Sequence, residues 1–157
     1  GAAALAGQAV ALGVVVAAVV PAAETAKIAP RLAEAIRQRV SDDVPVAMYQ
    51  FEEPSLVFYL GRRVEELSTA EQVAAWAGLA PAGTVQGGAG ARGAAWAGPS
   101  APAVLVLRRK DIARVEEAYG PLGAEEIAAV EGFNYPKGRW VEVVALGRNL
   151  PPAGPRP

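Results

Sequence analysis

Apolar residues recur every fourth position in residues 26–40. Ile28, Leu32, Ile36 and Val40 fall on one side, while Lys27, Arg31, Glu34, Arg37 and Arg39 lie elsewhere around the axis. That period predicts an amphipathic helix, packing its stripe on a sheet or lying on lipid head groups with its basic side outward. After a turn at 41–45, residues 46–51 read as a strand. Glu53 and Pro54 suit the first turn of a helix over 55–60. Gly61 can take the left-handed conformation that ends it, and residues 62–67 resume as a strand with Val64 and Leu67 as its apolar positions.

Further along, Ser68 with Glu71 fits a capping box for a helix whose apolar face is Val73, Trp76 and Ala80. Residues 82–102, mostly Gly and Ala with Arg92, Trp96 and Pro99, show neither period and read as a long linker. The unbroken apolar run 103–107 predicts a strand covered on both faces, followed by a helix over 111–119 that turns Ile112, Val115 and Tyr119 inward. Residues 126–135 and 138–147 form two extended runs joined at Pro136 and Lys137, a hairpin. Residues 149–157 are a proline-rich tail. The expected fold is therefore α/β, a mainly parallel sheet flanked by helices with a C-terminal β-hairpin, in one domain over residues 21–148.

Residues 1–20 hold one polar side chain, Gln8, and no charge. As a helix they would rise about 30 Å, enough to cross a bilayer core. A buried core helix and the remnant of a signal sequence are the competing readings, although a signal should carry a basic flank, which is missing here. With apolar residues all round its axis, this helix should project from the α/β body as a membrane span. The first residue is Gly rather than Met, the expectation for a processed product or a fragment.

The 157 residues are 52% hydrophobic, with a mean hydropathy of +0.22, high for a purely soluble domain. Fifteen basic and sixteen acidic residues balance to a charge of -1, so no global field recruits nucleic acid or an anionic membrane. With no cysteine and no histidine, disulfides, thiolate nucleophiles, Cys/His zinc clusters and histidine bases are excluded within these residues. No metal ligand set, cofactor site or catalytic residue is expected.

Gly88, Gly90 and Gly93 match the spacing of a dinucleotide-binding turn. No strand precedes them, and Gly98 and Pro99 stop any helix that follows, so a chance match among seventeen glycines is the better reading. Glu52 and Glu53 would point to opposite faces of a strand, and the other adjacent glutamates read as solvated. Asn134, Tyr135, Lys137, Arg139 and Trp140 gather at the hairpin tip. Turn chemistry accounts for them, and so would a surface that meets a phosphate or a sugar. Tyr59 and Arg62, either side of Gly61, raise the same two readings.

Two runs, YQFEEPSLVFYLGRRVEEL at 49–67 and EGFNYPKGRWVEVVAL at 131–146, resemble the C-terminal soluble part of bacterial polytopic glycosyltransferases of the family 39 type, relatives of protein O-mannosyltransferases and of the enzyme that adds aminoarabinose to lipid A. The likeness extends over roughly residues 14–148, with 82–102 as an insertion. It implies a domain on the extracytoplasmic (periplasmic) side of the cytoplasmic membrane, attached to an upstream membrane domain of the same protein that moves a sugar from a polyprenyl-phosphate donor to a lipid, glycan or protein. The family's acidic catalytic residue follows its first membrane helix, a region outside this sequence, so the chain itself is expected not to be catalytic. Two other classes stay open: a single-span anchored interaction module, and a free-standing α/β enzyme that buries residues 1–20.

Overall fold

Apolar strands of this kind need cover on both faces, and two helices lie on each. The computed structural model describes residues 27–51, 53–79, 100–134 and 138–151. Its elements run α1 (Ile28–Arg39), β1 (Val46–Tyr49), α2 (Pro54–Leu60), β2 (Val64–Leu67), α3 (Ala70–Ala77), β3 (Ala103–Arg108), α4 (Arg109–Tyr119), β4 (Glu125–Asn134) and β5 (Arg139–Arg148). The expected span at 1–20, the linker apart from its last three residues but including its glycine motif, and most of the tail lie outside the described residues. Among the described residues, no helix is long and apolar enough to cross a membrane.

The strand order is β2-β1-β3-β5-β4. β1 is parallel to both β2 and β3, whereas β5 is antiparallel to both β3 and β4. The sheet is thus mixed, which corrects the expectation of a mainly parallel one. β4 returns parallel to β3 through α4, but the second strand of the hairpin slots between them. Burial gives the reason: Val143, Val144, Ala145 and Leu146 are consecutive and all buried, so β5 needs cover on both faces, while β4 alternates and tolerates the edge.

Alternation along the strands divides the core in two. Val46, Met48, Val104, Val106, Val143 and Ala145 face Ile28, Leu32 and Ile36 of α1 and Leu56 and Leu60 of α2. Ala47, Tyr49, Leu105, Leu107, Val144 and Leu146 face Val73 and Trp76 of α3 and Val115 of α4. Val64 and Leu67, an odd number of positions apart on β2, serve opposite layers. Each fully buried Leu, Ile or Val contributes roughly 1.5–3 kcal/mol, so the two layers supply most of the cohesion.

Helix ends follow local chemistry. α2 starts at Pro54 and stops at Gly61, whose φ of +66° is the left-handed conformation the sequence suggests. The capping box of α3 is formed by Thr69 and Gln72, correcting the expected Ser68 and Glu71. Thr69 Oγ1 accepts from the Gln72 amide at 3.3 Å, and Gln72 Oε1 accepts from the Thr69 amide at 3.2 Å. Thr69 is the last extended residue before helical backbone begins at Ala70, so the cap falls one position later. The stripe of α1 packs on the sheet, and part of its polar side is taken up by protein rather than lipid. Arg31 Nη1 donates to the Glu131 carbonyl at 3.3 Å, and Arg39 Nη2 meets Glu125 Oε1 at 2.7 Å. These two contacts set α1 antiparallel to β4.

Candidate functional site

That antiparallel setting brings the start of α1 to the same edge as the carboxyl ends of β1, β2 and β3. The β4–β5 connection lies there too, since β4 runs parallel to β3. In open α/β sheets, ligands bind at this edge, where strand order reverses. Here the reversal falls between β1 and β3, and buried side chains occupy it: Tyr49 from β1, Arg108 from β3 and Asp111 from α4. The Tyr49 phenol is pushed up, first by burial and then by the charge of Asp111. The open space is displaced to either side.

A groove of about 340 Å³ lies towards the hairpin and is lined by Arg108, Arg109, Lys110, Arg139, Trp140, Val141 and Glu142. Its size is at the lower end for ligand sites. Arg109 Nη1 and Nη2 bind Glu126 at 2.6 and 3.1 Å, and Nη2 also meets Glu142 at 2.9 Å. The Arg109 guanidinium holds the Glu126 carboxyl below its ordinary range. Glu142 is therefore engaged with a cation, whereas Lys110 and Arg139 form no ion pair among the described residues. The groove offers cations and an indole ring, a surface that attracts phosphate and stacks on a sugar, and it presents no pair of unengaged carboxylates.

Two smaller grooves share the edge. One, about 180 Å³, is lined by Lys27, Ile28, Ala29, Pro30, Glu53, Ser55, Tyr59 and Phe133. The other, about 190 Å³, includes Met48, Gln50, Phe51 and Ser68. Gln50 holds a φ of +54° as the chain leaves β1, a conformation seldom adopted away from glycine and asparagine. Among the described residues, no three acidic side chains converge as a metal site.

Of the residues singled out in the sequence, Arg139 and Tyr59 reach this edge, in neighbouring grooves. Asn134 pairs with Arg139 across the hairpin but is buried. Tyr135 and Lys137 lie outside the described residues. Arg62 sits at the opposite edge, where its Nη1 donates to the Ser41 carbonyl at 2.7 Å and burial lowers its pKa. Sequence reading passed over Lys110 and Phe133. The run Arg108, Arg109, Lys110 directly after an apolar strand was the available signal, because a strand-to-helix junction in an α/β sheet opens on the ligand edge. Glu53 directly precedes α2, at the helix start where its sequence context puts it, and it accepts a hydrogen bond from the Ser55 hydroxyl.

No protein-family model, curated protein or solved structure matches the chain.

Proposed function

We propose that the chain is the extracytoplasmic C-terminal domain of a bacterial polytopic membrane glycosyltransferase of the family 39 type, with residues 1–20 as its last membrane span. The carrying observation is convergence. The two runs resembling that family are far apart in sequence, and both contribute to one sheet edge: Tyr59 of the first and Phe133 of the second line a common groove. Arg139 and Trp140 of the second run open the larger cationic groove beside it. Lys110 and Arg139 there suit the phosphate of a polyprenyl-phosphate sugar, and Trp140 suits the sugar face. The domain would guide donor or acceptor over a membrane-embedded centre supplied by upstream sequence, and would carry out no transfer itself.

The test is transfer of radiolabelled sugar from a polyprenyl-phosphate donor. The full reading frame should be active, and residues 1–157 alone should be inactive. Turnover by residues 1–157 alone would overturn the assignment of the reaction to upstream residues. An upstream frame without further hydrophobic spans would leave a single-span anchored module instead.

A further inference from the structure

Aromatic side chains recur around the edge just described. Phe58, 82% exposed, meets Tyr59 edge to face with ring centroids 5.6 Å apart. Tyr59 shares a groove with Lys27 and Phe133, and Phe133 meets Trp140 edge to face at 5.9 Å. Trp140, 61% exposed, opens onto Lys110 and Arg139. Two acidic residues line the same grooves, but Glu142 is held by Arg109, and Glu53 accepts from the Ser55 hydroxyl.

Large rings kept in water forgo the stabilisation that burial would bring, so two such exposed rings in one strip call for a cover. Rings with an apolar body and a polar tip, flanked by cations on flexible stems, match the interface of a bilayer, where indoles and phenols sit at head-group level and cations reach the phosphates. Chain geometry selects the same occupant. The described chain enters at Lys27, on this strip, and residues 1–20 before it carry no charge. Six residues separate position 20 from Lys27, seven steps of chain that hold the apolar segment within roughly 25 Å of the strip.

We infer that the strip of Phe58, Tyr59 and Trp140, with Lys110 and Arg139, rests on phospholipid head groups and sets the domain's orientation over the bilayer. This rests on the membrane half of the proposed function, and it uses the same Lys110, Arg139 and Trp140, which meet lipid phosphates when no sugar donor occupies them.

The experiment uses the whole chain, reconstituted into phosphatidylethanolamine and phosphatidylglycerol vesicles whose acyl chains are brominated near the head group. Tryptophan quenching is compared between the parent and Trp140→Phe. The parent should show a quenched component that Trp140→Phe lacks, and Lys110→Gln with Arg139→Gln should reduce it. Equal quenching in parent and Trp140→Phe, with the protein still floating with vesicles, overturns the strip and leaves the glycosyltransferase reading standing. Trp140 shielded from acrylamide yet unquenched by lipid would mean that protein covers it, and the lipid assignment fails. If the parent does not float with vesicles at all, the strip and the membrane setting fall together.

Discussion

Asp111, in the first turn of α4, accepts a hydrogen bond from Nε of Arg108 at the end of β3, and both side chains are buried. The pair closes the junction where the strand order reverses. Removing one partner from a buried pair leaves an uncompensated charge, which costs about 3–5 kcal/mol. Asp111→Ala should therefore lower the free energy of unfolding in urea by about that much. Arg108→Met together with Asp111→Leu should recover most of it. A loss below about 1 kcal/mol for Asp111→Ala would mean that water solvates Arg108 in the folded state.

The capping register of α3 makes opposite forecasts for neighbouring residues. Thr69→Ala should cost about 1 kcal/mol, because the Gln72 amide loses its acceptor, whereas Ser68→Ala should change stability by less than about 0.5 kcal/mol. Thermal or denaturant midpoints of the two variants settle which residue caps the helix.

Glu65 on β2 is buried, and burial pushes its carboxyl above the ordinary value of 4.5, with Arg63 pulling weakly the other way. The folded state then holds the proton more tightly than the unfolded chain. This contribution is fully present below the unfolded pKa and is lost as pH rises through the raised folded value. Glu65→Gln should thus be more stable than the parent at pH 7, with the gap closing as pH falls through the raised folded value towards 4.5 and staying flat below it. Denaturation curves across that window check it; a gap that is constant with pH would place the effect in packing rather than charge.

Gly61 holds its left-handed backbone with nothing within 4 Å of where a Cβ would stand. Any penalty for Gly61→Ala is therefore conformational, about 1–2 kcal/mol. Gly61→Asn should cost less than Gly61→Ala, since asparagine tolerates this region. Equal costs for the two would point to a steric cause.

How much was legible depended on whether the signal was local. The stripe of Ile28, Leu32 and Ile36, the stop at Gly61 and the covered strand at 103–107 were all readable, because period and turn chemistry act within a few residues. The site was half legible. Tyr59 and Arg139 could be named as polar aromatics and cations near turns, but whether two turns share an edge depends on strand order. Arg62, three residues after Tyr59, looked equivalent to it but goes elsewhere, because the left-handed turn at Gly61 intervenes: Arg62 donates to the Ser41 carbonyl beyond the end of α1, while Tyr59 lines the groove with Lys27 and Phe133.

By itself, then, the sequence determined the kinds and order of the elements, the two-faced core and the lack of thiol and imidazole chemistry. Tertiary structure decided that β5 sits inside and β4 outside, that Arg108 and Asp111 fill the reversal point, and that the aromatics of two distant runs meet beside Lys27. The reason is physical. Hydrophobic periodicity reports how many faces of an element must be covered, whereas neighbours in a sheet are chosen by the packing that covers them all at once.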